Sequence, residues 1–491
     1  MLATPRAVLA TPQAVSATPA VGNPQACGNP AGDPGNLAAA GAGNPAGSAG
    51  NPAGDAGDVA DGVPARRVIG LAVPALGVLA AEPLYVLVDT AVVGHLGALP
   101  LAGLALGGVL LTQVSTQLTF LSYGTTARTA RLHGAGRRGE AVAEGVQATW
   151  LALAAGVLVV VLGQLFARPL AELLAGGGAV ADAAVDWVRI ALFGAPFILV
   201  TMAGNGWMRG VQDTRRPLKY ILIGNGISAV LCPALVYGAG WGLEGSAVAN
   251  VVAQVLSAGL FFKALVAERV PLRPHWAAMR AQLGMGRDLV LRSLAFQACF
   301  ISAASVAART SVAALGAHQV VLQLWTFLAL VLDSLAIAAQ SLVGAALGAS
   351  RRRQAERLAW QVTRYGLVFG VGLGLVFAAL VVVLPRAFTS DAGVLAEIPN
   401  AWWFFVALQP IAGVVFALDG VLLGAGDVKF MRTATLGSAV VGFLPLVWAS
   451  YAFEWGLAGI WTGLSAFMVL RLFAVVWRTR SGEWAVEGAV R

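Results

Sequence analysis

Charged side chains are scarce in this chain. Asp, Glu, Lys and Arg make up 11% of its 491 residues, hydrophobic residues make up 58%, and the mean hydropathy is +0.76. Soluble globular domains carry about 25% charged residues. The composition therefore argues against an ordinary soluble enzyme and favours a protein that crosses a membrane many times.

Cysteine and histidine are also rare, with three and four residues. Cys27 lies in a polar N-terminal segment while Cys232 and Cys299 lie in apolar runs, so no disulfide framework is predicted. The histidines form no metal-ligand cluster in the sequence, and no Walker A motif occurs. We therefore expect no metal, no cofactor and no enzymatic activity, and active transport would need an ion gradient.

Residues 1–64 contain GNPAG-like units at Gly43–Gly47 and Gly50–Gly54 and almost no large apolar side chains. Such a segment cannot bury enough surface to offset the loss of chain entropy, so it is predicted to be a disordered cytoplasmic tail. It has no apolar run of the kind that a signal peptide requires.

Twelve apolar spans follow this tail. Each is near or above the roughly 20 residues that a helix needs to cross a lipid bilayer. The chain is therefore predicted to be an all-α polytopic membrane protein. The spans cover about 68–93, 103–130, 142–167, 183–209, 218–238, 243–266, 286–312, 318–346, 357–384, 398–424, 430–452 and 455–477.

Basic residues cluster in alternate connections between these spans, as in Arg66 and Arg67, Arg128–Arg138 and Arg351–Arg357. Short cytoplasmic loops are enriched in Lys and Arg. The net charge of +8 is thus explained by basic loops on the cytoplasmic side of the membrane. We therefore expect no nucleic-acid partner. The predicted protein lies in the plasma membrane with both termini in the cytoplasm.

The sequence repeats internally. GAGRRGEA at 134–141 recurs as GASRRRQA at 348–355, and WGLEG at 241–245 recurs as WGLAG at 455–459, at one constant offset. Each unit has six spans, an even number, so both units insert the same way up and are related by a pseudo-two-fold axis along the membrane normal. The predicted parts are the tail (1–64), an N-terminal six-helix lobe (65–270), a C-terminal six-helix lobe (271–480) and a cytoplasmic C-terminal tail (481–491).

The first span contains a carboxylate, Asp89, within PLYVLVDTAVVGHLG at 83–97. An ionisable group there costs about 3 kcal/mol on insertion scales, so it is normally kept for ion coupling or substrate binding. The alternative is a buried Asp that only accepts hydrogen bonds from a neighbouring helix. We take Asp89 as the first candidate for ion coupling.

Glu82 precedes Asp89 by seven residues, which places it on nearly the same helix face, about 10 Å away. Pro83 between them lacks a backbone N–H and would loosen the hydrogen-bond ladder of the helix. Glu82 is therefore a candidate relay or second proton site, with a structural role beside a kink as the alternative.

The second lobe contains two further intramembrane acids, Asp333 and Asp419. They would either bind a cationic substrate or pair with Arg292 or Arg309. Other polar residues in the spans would either line a substrate cavity or form hydrogen bonds between helices. These residues are Asn205, Asn225, Ser228, Asn250 and Gln340.

Four stretches together resemble the multidrug and toxin extrusion (MATE) family in its DinF-type branch. They are PLYVLVDTAVVGHLG (83–97), GNGWMRGVQDTRRP (204–217), GAHQVVLQLWTFLALVLDSLAIAAQSLVG (316–344) and LDGVLLGAG (418–426). The resemblance implies two six-helix lobes that form a V and cation-driven antiport. It also implies that Asp89 is the coupling carboxylate and that Pro74 is the proline at which the first helix bends.

The chain departs from this family at one point. Many members have an Asn and an Asp one turn apart before a proline in the fifth helix, whereas here Ser228 and Cys232 precede Pro233. The absence of that second carboxylate favours protons over Na⁺ as the coupling ion.

The sequence thus predicts a monomeric, proton-coupled antiporter that exports small amphipathic or cationic compounds, such as drugs, toxins or metabolites, by alternating access. The alternative is a flippase for a lipid-linked precursor. A flippase would need a cavity rich in Arg and Lys to hold a pyrophosphate, and Arg292 and Arg309 are the residues available for it.

Overall fold

In lipid, backbone polar groups must find their partners within the protein, which leaves helices and closed barrels as the spanning structures. The computed structural model describes residues 63–489, and all regular secondary structure in that range is helical. The predicted N-terminal tail, with Cys27, lies outside the described residues except for Val63 and Pro64.

Twelve helices between residues 63 and 489 are long and apolar enough to cross a membrane, which confirms the predicted number of spans. Several extend beyond the predicted apolar run; α7, for example, starts at Trp276 rather than near 286, because polar residues continue the helix outside the apolar core. The helices are α1 Ala65–Gly94, α2 Ala98–Gly134, α3 Arg138–Ala175, α4 Ala179–Gly210, α5 Arg215–Gly238, α6 Gly242–Ala267, α7 Trp276–Thr310, α8 Val312–Gly348, α9 Arg352–Ala379, α10 Pro399–Gly424, α11 Val428–Ala452 and α12 Gly456–Ser481.

Four of these spans depart from regular α-helix. A turn at Leu118 and Thr119 divides α2, and a 3-10 turn at Leu192–Gly194 lies within α4. π-Helical turns end α5 at Ala234–Gly238 and interrupt α11 at Ser438–Phe443. Two short helices, Val383–Phe388 and Ala392–Glu397, connect α9 to α10.

Helix α1 is continuous through Pro74 and Pro83. Each proline lacks the N–H that would bond to the carbonyl four residues earlier, so the carbonyls of Gly70 and Leu79 lose their usual helical partners. The hinge role predicted for the two prolines stays a prediction.

The helices form two halves of six, α1–α6 and α7–α12, with the same packing in each. In the first half α4 packs against α2 and α3, and in the second half α10 packs against α8 and α9. The repeat offset is 214 residues (134 to 348, and 241 to 455), so Gly210 and Gly424 are repeat mates, as are Asn205 and Asp419. The two glycines allow equivalent close approaches: a Cβ on Gly210 would lie 2.5 Å from Thr129 Cβ, and one on Gly424 would lie 2.4 Å from the Gln340 carbonyl oxygen. The internal repeat of the sequence is thus a repeat of structure.

Large apolar side chains are exposed along the outer helices. On α3, Val157, Leu158, Val161 and Leu165 are between 51% and 66% exposed. A surface of this kind would be an aggregation liability in water. It fits a protein whose solvent is the hydrocarbon of a bilayer.

One end of the bundle, here called the basic face, carries the start of α1 at Ala65, the α2–α3 and α8–α9 connections, and the end of α12 at Ser481. At this face α2 and α8 are in backbone contact. A Cβ added to Gly134 would lie 1.9 Å from the Ala345 carbonyl oxygen, and one added to Gly348 would lie 1.9 Å from the Arg131 carbonyl oxygen.

The segment after α12 also links the two halves at the basic face. Arg131 of α2 donates hydrogen bonds to the carbonyls of Gly488 at 2.9 Å and Val486 at 3.0 Å. Gly488 N–H donates to the carbonyl of Leu347 in α8 at 3.1 Å, and Trp484 is fully buried. The C-terminal segment therefore crosses from one half to the other where α2 and α8 meet.

The close contact between α2 and α8 yields a stability prediction. Gly348→Ala should lower the free energy of unfolding by about 1–3 kcal/mol, since the added methyl group must push two backbones apart. The measurement is the apparent Tm of the protein in detergent.

Gly139→Ala is the matched control, because nothing lies within 4 Å of a Cβ at Gly139. Its Tm should equal or exceed that of the unsubstituted protein, since Ala favours helix over Gly. An unchanged Tm for Gly348→Ala would contradict the close packing.

Candidate functional site

Asp89 lies near the end of α1 that is remote from the basic face, and it is 4% exposed. Its Oδ1 accepts hydrogen bonds from Ser246 Oγ of α6 at 2.7 Å and from Cys232 Sγ of α5 at 3.2 Å. Asp89 thus connects α1 to the two helices that pack beside it.

Trp187 of α4 fixes the direction of one of these bonds. Its Nε1–H, which can only donate, points to Ser246 Oγ at 3.3 Å. The Ser246 oxygen therefore accepts from the indole, and its own proton is available for Asp89. This chain of donors gives the buried Asp89 carboxylate a hydrogen-bond partner on α6.

Further polar side chains surround Asp89. Tyr85, one helical turn before it, is buried beside Ser228 and Asn250. We call Tyr85, Asp89, Ser228, Cys232, Ser246 and Asn250 the Asp89 cluster. The predicted residues Ser228 and Asn250 therefore do lie with Asp89.

The partners of Asp89 are neutral groups. Across residues 63–489 no Lys, Arg or His forms an ion pair with it. Burial without a counter-charge disfavours the charged form of a carboxyl group. Asp89 is therefore a buried carboxyl group with neutral hydrogen-bond donors and with no ion pair among the described residues.

Glu82 has a different environment from Asp89. Its side chain is exposed, and it makes no hydrogen bond or ion pair within the described part of the chain. The neighbouring Ala81 carbonyl accepts a bond from Asn225 Nδ2 at 2.9 Å, so the predicted cavity residue Asn225 ties α5 to α1. Glu82 is not part of the Asp89 cluster.

The two acids of the second half lie in another group of charges. Asp419 Oδ2 accepts from Arg292 Nη2 at 2.5 Å and from Arg471 Nη2 of α12. Asp333 accepts from the hydroxyl of Tyr123 at 2.5 Å and lies within electrostatic range of Arg209 and Arg292. Tyr123 and Arg209 belong to the first half. We call Tyr123, Arg209, Arg292, Asp333, Asp419 and Arg471 the interface cluster.

Gln340 and its neighbour Ser341 also bridge the halves. Gln340 Nε2 donates to the Tyr123 carbonyl at 2.7 Å, and Ser341 Oγ donates to the Arg209 carbonyl at 2.9 Å. Both are fully buried. Of the alternatives that the sequence left open, the structure shows ion pairs and interhelical hydrogen bonds for Asp333, Gln340 and Asp419.

Asn205, a predicted cavity residue, and Arg309, a predicted partner of Asp333 or Asp419, lie outside both clusters. Asn205 is buried in the first half with Oδ1 unpartnered, so it matches its repeat mate Asp419 in burial but not in pairing. Arg309 does not pair with Asp333 or Asp419; it is exposed, and its guanidinium lies 5.8 Å and 5.7 Å from the ring centroids of Trp448 and Tyr451.

Several residues in or beside the two clusters were not predicted from the sequence. Arg471 was detectable, because it is a cation within the predicted span 455–477 and such residues are rarely without a partner. Tyr85 was detectable from its position one turn before Asp89. Trp187 and Tyr123 gave no signal, because aromatic side chains are common in membrane helices.

The second half also contains an apolar cavity of about 170 Å³. Residues of α7, α8, α10 and α12 line it, and Arg471 lies in its wall. Separately, the described residues contain no group of three or more His, Cys, Asp or Glu side chains placed to hold a metal ion.

Comparison with known proteins matches this architecture. The MatE family model matches twice, over residues 74–234 and 289–448, once in each half. The chain is 34% identical over 436 residues to Protein DETOXIFICATION 44, chloroplastic, of Arabidopsis thaliana, covering 85% of this chain and 83% of the relative. It is 30% identical over 438 residues to DNA damage-inducible protein F of Escherichia coli K12, covering 84% and 92%.

Solved structures agree at the level of the fold. A crystal structure of MATE in the bent conformation superposes with a TM-score of 0.81 at 20% identity, covering 86% of this chain and 97% of that chain. Family model, relatives and fold thus agree over both halves, and the chain belongs to the MATE family of multidrug and toxin efflux transporters.

Proposed function

We propose that this chain is a proton-coupled antiporter that exports small amphipathic or cationic compounds by alternating access, with Asp89 as the proton-binding group. The observation that carries the proposal is the environment of Asp89. It is a buried carboxyl group that accepts bonds from neutral donors and has no counter-charge within residues 63–489.

The chemistry of the Asp89 cluster favours a proton over Na⁺. Both groups that contact Asp89 Oδ1 donate hydrogen bonds, and one of them is a thiol, which is a poor ligand for an alkali cation. A second carboxylate is absent from the cluster. A proton neutralises Asp89 without any further ligand.

Exchange requires that proton and substrate weaken each other's binding, and this coupling is reciprocal. It also requires that the contacts between the halves at the basic face form and break. Here they are formed, through the α2–α8 backbone contact and the interface cluster. Since one chain contains both halves, we propose that a monomer is sufficient.

The flippase alternative finds less support. The two arginines that the sequence offered for a pyrophosphate lie apart: Arg292 belongs to the interface cluster, whereas Arg309 is exposed and lies outside it.

We propose further that the basic face is cytoplasmic and that the protein lies in the plasma membrane. The support is the concentration of Lys and Arg at this face. In a Cys27→Ser background, cysteines at the exposed positions Ala98, Ala179 and Ala239 should react with an impermeant maleimide added to intact cells.

Cysteines at Arg215 and Arg353, exposed at the basic face, should react only after the cells are permeabilised. Cys232 and Cys299 are buried and give little background. The reverse labelling pattern would overturn the orientation.

Asp89→Asn tests the proton site, because Asn imitates a permanently protonated Asp at nearly equal volume. The variant should insert and fold, yet proton-driven efflux from reconstituted vesicles should fall at least tenfold. Its substrate affinity should no longer change with pH, because the titrating group is gone.

Asp186→Asn is the control, since Asp186 is an exposed carboxylate of α4 outside the cluster, and it should retain full efflux. If Asp89→Asn vesicles still drive substrate against its gradient when a proton gradient is imposed, the coupling role does not belong to Asp89. Glu82→Gln in the same assay then decides whether Glu82 carries it.

A further inference from the structure

The apolar cavity of the second half has an aromatic wall. It has a volume of about 170 Å³. Four phenylalanine rings, from α7, α10 and α12, and two indoles, from α8 and α12, line it. These six residues are Phe296, Phe300, Trp325, Phe416, Trp461 and Phe467. A wall of this composition binds a flat apolar group by area burial and ring contacts.

The polar groups of this wall are hydrogen-bond donors. Arg471 is the charged residue among the described residues that line it, and its side chain is 3% exposed. Trp461 is 0% exposed, and its Nε1–H has no acceptor. A buried donor without a partner costs about 1–3 kcal/mol, so the Trp461 N–H favours a ligand that brings an acceptor. Arg471 donates through Nη2 to Asp419 and has further N–H donors for a ligand.

The charge beside the cavity is positive. Arg292 and Arg471 both donate to Oδ2 of Asp419, so one carboxylate faces two guanidiniums. Their guanidinium carbons lie 5.4 Å and 4.9 Å from the centre of the Phe296 ring, which belongs to the cavity wall. With Arg209 and Asp333 included, the interface cluster contains three cations and two acids. An anion is favoured at this wall and a cation is not.

The size of the cavity limits the ligand. An engineered apolar cavity of about 150 Å³ holds one benzene molecule. A cavity of about 170 Å³ therefore accommodates one aromatic ring with a small substituent.

We propose that this cavity binds a monocyclic aromatic acid, with its carboxylate at Arg471 and its ring among the phenylalanines. This inference rests on the proposed function. It narrows the proposed substrates from amphipathic compounds in general to small aromatic acids.

Benzoate is the probe, titrated into the full-length protein in detergent and followed by calorimetry and by the fluorescence of the tryptophans, two of which line the cavity. Binding should be saturable. Benzyl alcohol should bind at least tenfold more weakly, because it forms no charge-assisted bond. Benzylamine, which has the same ring and the opposite charge, should not bind.

Two substitutions test the location. Arg471→Gln should weaken benzoate binding at least tenfold, as expected for the loss of a hydrogen bond to a charged group. Ala329→Phe places a ring inside the cavity and should abolish binding while leaving every ion pair of Asp419 in place, so it remains informative if Arg471→Gln fails to fold.

Arg309→Gln is the matched control, because Arg309 also lies over aromatic rings but is exposed and outside the cavity. It should bind benzoate normally. The inference is overturned if benzoate does not saturate, if benzylamine binds as well as benzoate, or if Ala329→Phe leaves binding unchanged.

The results that would refute the aromatic-acid site differ from the results that would refute the proposed function. Proton-driven efflux of a cationic dye without benzoate binding would refute the aromatic-acid site alone. Saturable benzoate binding in a protein whose efflux ignores the proton gradient would refute proton coupling alone.

Discussion

A charged side chain inside a membrane protein has too little water around it to remain alone, and the two halves of this protein meet that constraint differently. In the second half Asp419 shares its carboxylate with Arg292 and Arg471. In the first half Asp89 has a hydroxyl and a thiol as partners and no cation among the described residues. Asp419 therefore lies between two cationic side chains, whereas Asp89 accepts hydrogen bonds from neutral donors and is the group that we propose exchanges a proton with the solvent. The repeat is therefore symmetric in its helices and asymmetric in its chemistry.

Small residues make the close contacts between these helices possible. Hydrophobic driving force between helices is weak in lipid, so association depends on packing and on interhelical hydrogen bonds. At the basic face, Gly134 and Gly348 let the backbones of α2 and α8 touch. The interface cluster and Gln340 then supply polar bonds between the same two halves. Packing and polar contacts thus act at one place, where the bundle is closed.

The sequence was sufficient for the twelve spans and the repeat, because hydropathy and offset are properties of the linear chain. It also identified Asp89, since a lone carboxylate in an apolar run is visible without a structure. It could not decide between pairing and substrate binding for Asp333 and Asp419, because that depends on which helices face each other. Arg471 shows the limit best: it is visible as an intramembrane cation, but its partner lies 52 residues away on another helix.

Helix α1 contacts the core of the second half at one end and carries Asp89 of the first half near its other end. Near the basic face, Val68 and Leu71 belong to the same core as Ala303 and Leu342 of the second half. Near the other face, Asp89 is bonded to α5 and α6 of the first half. Pro74 and Pro83 lie between these two ends, and each removes one backbone hydrogen bond, which lowers the cost of bending at those points. On the proposed mechanism, protonation of Asp89 changes what the far end of α1 bonds to, and a bend at the prolines alters how its near end packs on the second half. On this proposal, a proton that binds in the first half changes the contacts that keep the two halves together.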